Sequence, residues 1–386
     1  MLAKLLVFYI LLYCIVGDFI SAVFGFEHAR LICLIGIVTT LPIYYVQKKD
    51  KNIIFITTIV IFLMISFIIV NGRSDRLSFF YTILLGYLLF SEKKVALKYL
   101  DYVFVIQFVL IFIEVVFGKH IYLEVYTGII NPTILDNSNA LELFDETGFR
   151  PKGLFPGTLT GCSFVIFYSI LNKESKIRVL WAVLMALLMN GRLAILLTSA
   201  VATLYFIKNR QTKKFNFQKF IKVLLGGLSF IIVAYSFNQG IRDRVDRILS
   251  SFIFDERSNN LGRAMIYVAA FNTYIEQYDY KSKFFGGEYE ILDAYGRPLA
   301  AESDTIGMLL EIGIMGSLIY WGALFIMFRC KSDDEFIPIW YVVLLTFLAW
   351  IEYRHLTGNM RGALFWMLYY SYSNINIAKL KGQKQL

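Results

Sequence analysis

Charged residues and cysteines are scarce in this chain, and each scarcity excludes a class of protein. Only 17% of the 386 residues are charged, against about 25% in soluble globular domains, which argues against an ordinary cytoplasmic enzyme. Set beside 58% hydrophobic residues, the same shortage rules out a disordered chain, which needs low hydrophobicity and high net charge. Four cysteines (Cys14, Cys33, Cys162 and Cys330) are too few for a disulfide scaffold, and no CxxC or Cys/His spacing would hold a metal. Three fall inside apolar runs and the fourth at the end of one, so they read as packing residues. No HExxH, DxD or glycine-rich phosphate loop occurs, and no nucleophile-base pair emerges. No cofactor or metal is expected, although Asp136, Asp145 and Glu146 lie scattered in one long loop and leave a metal open.

What is abundant is apolar sequence in long runs. A helix needs roughly 20 mostly apolar residues to cross a bilayer. The runs between charge clusters place twelve candidate spans near 5–25, 30–46, 52–71, 77–91, 98–118, 156–172, 177–190, 193–208, 220–237, 303–328, 336–351 and 362–377. The expected fold class is therefore an all-α polytopic integral membrane protein. The first run has no small-residue cleavage site and continues past Asp18 to Phe26, so it reads as a retained span. Five segments follow: an N-terminal bundle (1–118), a first outer loop (119–155), central spans (156–237) with a short hairpin at 177–208, a large outer loop (238–302), and C-terminal spans with a tail (303–386).

The formal charge of +9 is divided by side. With the first residue on the inner face, 21 of the 38 basic residues fall inside, and the short outer loops hold only Arg30, Arg73, Arg76, Arg192, Arg354 and Arg361. Cations favour the cytoplasmic side of short loops, so both termini are expected in the cytoplasm. Of the inner cations 18 are Lys, whereas 13 of the 17 outer ones are Arg. Topology is served equally by either, so the arginine bias needs a second cause. The guanidinium fork grips phosphate or carboxylate in a bidentate way, pointing to a multi-anionic ligand on the outer face. The competing explanation is loop stabilisation by ordinary Arg/Asp pairs.

Both long loops, 119–155 and 238–302, exceed the length at which loops are usually functional or disordered. In the second, Ile241, Val245, Ile248, Leu249 and Phe252 follow helical spacing and predict a helix lying along the membrane surface. A second helical stretch runs from Arg263 through Tyr278, and Gly286-Gly287 breaks the pattern. The hairpin arms at 177–208 would rise only about 21–24 Å, less than the bilayer core, so the Asn190-Gly191-Arg192 turn is expected below the outer surface. A cation at that depth is a functional candidate by default; local bilayer thinning with Arg192 snorkelling outward is the alternative.

Four segments carry a family resemblance. Glu302-Ser303-Asp304, followed by Gly313-Ile314-Met315-Gly316, resembles the signature of the bacterial O-antigen polymerase and O-antigen ligase family: His, a small polar residue, nine residues, then Gly-x-x-Gly. Glu302 departs from it, standing where the family often has His. Arg150-Pro151-Lys152-Gly153-Leu154-Phe155 is similar to the family's Arg-x-x-Gly-x-Phe, Asn190-Gly191-Arg192-Leu193-Ala194 to its Ser-x-Arg-x-Ala turn, and Gly262-Arg263-Ala264 to the arginine that starts a helix in its large loop. The resemblance covers roughly residues 145–330. Close helix packing would account equally for Gly313 and Gly316 taken alone.

The resemblance implies a GT-C-like inner-membrane glycosyltransferase acting at the periplasmic face on undecaprenyl-pyrophosphate-linked oligosaccharides, as donor and as acceptor. It admits a chain-length regulator as a further partner; no nucleic acid is expected. Charge growing on the departing pyrophosphate would be met by preorganised cations. Arg150, Arg192 and Arg263 are the leading candidates, with Arg354 and Arg361 behind them. Glu302 is placed by the signature to accept the acceptor's proton, with Asp304 as backup and His120 and His355 as rivals. Helix capping by Glu302 and Ser303 is the competing role. A polymerase extending surface polysaccharide in lipopolysaccharide biosynthesis leads; a ligase passing the glycan to lipid A-core, and a flippase of lipid-linked oligosaccharide, are the alternatives. Polar residues deep in spans are few (Asp18, Asp101, Gln107, Glu114 and Glu311), which speaks against a transmembrane charge relay.

Overall fold

The computed structural model describes residues 2–24, 29–71, 77–117, 151, 153–155, 158–189, 191–211, 268–287, 291–292, 298–299, 304–329 and 359–382. These are predominantly helical. The first five apolar runs form α1 (Leu2–Phe24), α2 (Ala29–Lys48), α3 (Lys51–Asn71), α4 (Ser78–Ser91) and α5 (Lys93–Phe117). The next three form α6 (Thr158–Leu171), α7 (Lys176–Leu188) and α8 (Arg192–Gln211). The expected spans at 220–237 and 336–351 and the surface helix at 241–252 lie outside the described residues.

In the 238–302 segment, helical backbone at 268–272 passes into a π-helical turn, Thr273–Gln277, which ends where the sequence pattern does. A short helix that the pattern did not predict, α9 (Tyr280–Phe285), follows, started by Asp279, whose carboxylate accepts the Ser282 N–H at 2.7 Å. Two two-residue strands, β1 (Ile291–Leu292) and β2 (Pro298–Leu299), pair antiparallel with Ile291 opposite Leu299. The single span expected at 303–328 is in fact two helices, α10 (Asp304–Glu311) and α11 (Gly313–Arg329). The break falls where Gly313 adopts φ +69, a left-handed conformation that glycine takes without the Cβ penalty. Glu311, expected inside a span, therefore stands at a helix end. The run at 362–377 lies within α12 (Asn359–Gly382).

Among the described residues three helices, α2, α3 and α5, are long and apolar enough to cross a membrane. The two faces of α3 show why. Ile53, Val60 and Phe67, seven apart, are buried, while Phe55, Phe62 and Ile69, also seven apart, are two-thirds or more exposed. A helix apolar on both its inner and outer faces suits hydrocarbon rather than water.

Side-chain ties sort the helix ends into two groups. At one end the α2–α3 and α4–α5 turns meet: Tyr87 donates to Asp50 at 2.7 Å, Tyr44 to Glu92 at 2.8 Å, and Lys48 pairs with Glu92 at 2.7 Å. The start of α5 meets the α6–α7 turn at this end too, through Asp101, which accepts from Tyr168 at 2.7 Å and pairs with Arg178. Asp101, expected deep in a span, thus lies about two turns from the start of a helix that begins at Lys93. Because α4 leads into this end and α5 out of it, the beginnings of α4 and α6 and the end of α5 lie opposite.

The most extensive helix contact is between α4 and α12, which run in the same direction: Gly362 sits on Thr82, Gly86 on Ala363, Trp366 and Met367, and Tyr87 on Tyr370. A Cβ on Gly86 would come within 2.3 Å of Trp366 Cβ and 2.8 Å of two α12 backbone atoms, so the helices approach at glycine distance. We therefore predict that Gly86→Ala destabilises the fold by about 1–3 kcal/mol through overpacking, read as a lowered thermal unfolding midpoint in detergent; an unchanged midpoint would refute this packing.

Candidate functional site

At the end opposite the lysine-rich turns, a loop is held inside the bundle by two side chains of α5. Gln107 and Glu114 stand seven residues apart on one face and are buried to 0% and 1% exposure. The carbonyl oxygen of Gln107 accepts the Leu154 N–H, and a Glu114 carboxylate oxygen accepts the Gly153 N–H at 3.0 Å. A backbone N–H has no water to turn to among apolar helices, so the chain can enter only where such acceptors stand. Gly153 has φ +59, and a Cβ there would fall 2.5–2.7 Å from the Gln107 amide group; glycine is required twice over. Pro151, Leu154 and Phe155 are buried, and the Phe155 ring lies 5.2 Å from that of Phe164 in α6.

The α7–α8 turn packs against the same helix. Gly161 of α6 has Met189 on one side and Phe155 on the other, and Gly191 sits directly on Cys162. The turn is closed by Gly191 N–H to Ala186 O at 3.3 Å and Ile195 N–H to Gly191 O at 2.8 Å. The Arg-x-x-Gly-x-Phe segment and the Asn-Gly-Arg-Leu-Ala turn, about 40 residues apart in sequence, therefore converge on the opening turns of α6. Cys162, expected as a packing residue, is buried and fills this junction, and Cys33 is a free, buried thiol.

Among the arginines expected to bind phosphate, Arg192 is the first residue of α8 and Arg361 the third of α12, which packs on both α4 and α6. Arg361 is half-buried, with its Nε fully covered. Both positions lie at the end that holds the 151–155 loop. Arg150, Arg263, Arg354 and Glu302 lie outside the described residues, as do all three histidines; Pro151, bonded to Arg150, is described and buried. Asp304 is the first residue of α10. Among the described residues no group of three or more His, Cys, Asp or Glu side chains could hold a metal.

A second knot joins the outer loop to the α10–α11 break. Gly287 N–H donates to Leu310 O at 2.9 Å, and the Tyr278 hydroxyl donates to the same oxygen at 3.2 Å. The chains cross so closely that a Cβ on Gly286 would meet Glu311 backbone at 2.2 Å, and one on Gly313 would meet Phe284 O at 2.4 Å. Gly313 thus serves a backbone crossing with the loop rather than helix–helix packing, while a Cβ on Gly316 would meet Ile312 of its own turn. On this loop burial raises the Tyr274 hydroxyl above its ordinary value. The Ser282 hydroxyl and N–H hold the exposed Asp279 carboxyl below its usual 3.8.

Gln107 and Glu114 were legible in sequence only as unexplained polar residues in a span; their seven-residue spacing, placing both on one face, was the available signal. Compared with protein-family models, curated proteins and solved structures, the chain finds no match.

Two outcomes are expected. Gln107→Leu strips the Leu154 N–H of its acceptor and costs about 1–3 kcal/mol, measured as a lower unfolding midpoint; no change would show that the bond contributes nothing. A depressed carboxyl stabilises above its unfolded pKa and stops doing so as pH falls through the folded value. The α9 start should therefore hold at neutral pH and loosen below about pH 4, and Asp279→Asn should remove that pH dependence, followed by hydrogen exchange at the Ser282 amide.

Proposed function

We propose that this protein is a polytopic membrane glycosyltransferase, an O-antigen-type repeat-unit polymerase. It transfers a growing glycan from undecaprenyl pyrophosphate to the sugar of an incoming lipid-linked unit. The observation that carries the reading is the convergence on α6: two separate segments that resemble family motifs, one following Arg150 and one containing Arg192, are packed against the same helix end. The start of α12, with Arg361, adds a third arginine position at that end. Supporting it is the structural use of Gln107 and Glu114, which hold a loop instead of forming steps of a proton path, as a lipid-linked oligosaccharide flippase would be expected to need.

In this reading the twelve spans form a GT-C-like bundle in the bacterial inner membrane, with both termini in the cytoplasm and the arginine-rich end in the periplasm. The acceptor hydroxyl oxygen bonds to the anomeric carbon as the bond from that carbon to the pyrophosphate oxygen breaks. Arg150, Arg192 and Arg263 stabilise the departing pyrophosphate, assisted by Arg354 and Arg361. Such preorganised donors each lower the barrier by about 3–4 kcal/mol. Glu302 takes the hydroxyl proton, with Asp304, at the start of α10, as its backup. The knot at Gly286 and Gly313 fixes the end of α10, the helix that Asp304 begins.

Purified protein given only the lipid-pyrophosphate-linked repeat unit is expected to build a ladder of longer glycans. Product formed only when lipid A-core is added would identify a ligase, and transfer across liposomes without a new glycosidic bond a transporter. Glu302→Gln and Arg192→Ala are expected to abolish the ladder while leaving membrane insertion intact; wild-type ladders from both would overturn the site.

A further inference from the structure

We propose that the cleft between α5 and α7 binds one anionic glycerophospholipid, its acyl chain along an aromatic wall and its phosphate against Arg178. The cleft lies at the lysine-rich end, away from the arginine site, and does not depend on the reaction proposed above. It encloses about 440 Å³, within the roughly 300–1,000 Å³ of ordinary ligand pockets. Its walls are Phe104, Val105 and Phe108 of α5 and Trp181 of α7, with Tyr168 of α6 between them. Phe104 stacks on Tyr168 at 4.3 Å, and Phe108 meets Trp181 edge-on at 4.9 Å. Val105 is 58% and Trp181 45% exposed, so the cleft opens on the outer surface of a helix long and apolar enough to span a membrane.

An almost wholly apolar lining excludes a sugar or nucleotide and suits a hydrocarbon chain. From Asp101 to Phe108 the wall rises about 10 Å along α5, away from the polar end. That end supplies the headgroup contact. Both Asp101 oxygens are committed, one to the Tyr168 hydroxyl and the other to Arg178, so the carboxylate is turned inward. Arg178 bonds Asp101 through Nη2 and also reaches the Tyr168 hydroxyl, yet its side chain remains 42% exposed. A guanidinium has five N–H donors in a fixed fork, which leaves a face free for a phosphate. Lys98, one turn before Asp101 on α5, and Lys176, at the start of α7, are both exposed at this lysine-rich end, so cations outnumber the exposed acid Glu174 in these two helix starts. Basic pockets between membrane helices select anionic headgroups in this way.

Trp181 gives the test its own reporter. The full-length protein is reconstituted in vesicles doped with dibrominated phosphatidylglycerol or dibrominated phosphatidylcholine, and quenching of Trp181 is taken as the difference from Trp181→Phe. Quenching by the anionic lipid is expected to be about fivefold more efficient, the preference one surface cation confers. Arg178→Gln is expected to abolish the preference, whereas Asp101→Asn, which breaks the same ion pair but keeps the guanidinium, is expected to preserve it. Equal quenching by both lipids, a preference that survives Arg178→Gln, or its loss in Asp101→Asn would overturn the proposal. So would quenching relieved by polyprenyl phosphate but not by unbrominated phosphatidylglycerol, which would assign the cleft to an isoprenoid lipid.

Discussion

A backbone N–H taken among apolar helices must find an acceptor there, because neither hydrocarbon nor an aliphatic core supplies one. Helices satisfy this internally; any other conformation has to be provided for one group at a time. The non-helical segments in this bundle show the provision. Gly153 and Leu154 lie in the interior because Glu114 and Gln107 were placed two turns apart to receive them. Gly287 lies against the α10–α11 break because Leu310, at a helix end, has a carbonyl to spare. The buried hydroxyls of Thr82, Ser169 and Thr198 return to carbonyls one turn back.

The two ends of the bundle solve different problems. At the lysine-rich end, Glu92 and Asp101 are each shared between a tyrosine hydroxyl and a cation, and Asp50 accepts from the Tyr87 hydroxyl and the Asn52 N–H, tying successive turns together. At the other end the ties run from backbone to side chain and from glycine to whatever packs on it, and the segments so held are the ones that resemble family motifs. A rigid scaffold of side-chain bonds at one end leaves the chemistry of the other to short, buried, glycine-bearing segments. In the proposed reaction, preorganised cations are effective only when their backbone cannot move away from the developing charge, and the close packing at Gly153, Gly161 and Gly191 would supply that fixing.

The spans were largely legible. Apolar runs bounded by lysines predicted α1 through α8 to within a few residues, because hydrocarbon imposes a length and composition that local sequence must meet. The break at Gly313 was not legible as a break: Glu302 to Arg329 reads as one helix-forming stretch apart from its glycines, and what separates α10 from α11 is a crossing with Phe284 and Gly286, distant in sequence. Close helix packing, the alternative to the family signature for Gly313 and Gly316, named the right property for Gly313 but the wrong partner. For the proposed site the sequence offers a set of arginines but no geometry, since neither Gln107 nor Glu114 announces which loop it will hold. α9 went unpredicted because six residues are too few to show a period.

The pairing of α4 with α12 bears on how the molecule is made. α4 is a helix of 14 residues whose closest neighbour is supplied by residues synthesised long after it has left the ribosome. Until Gly362 and Trp366 arrive, the groove around Gly86 faces lipid with no side chain to fill it. The short fourth helix is thus an unfinished surface during most of translation, and the arrival of α12 is the step that closes the bundle.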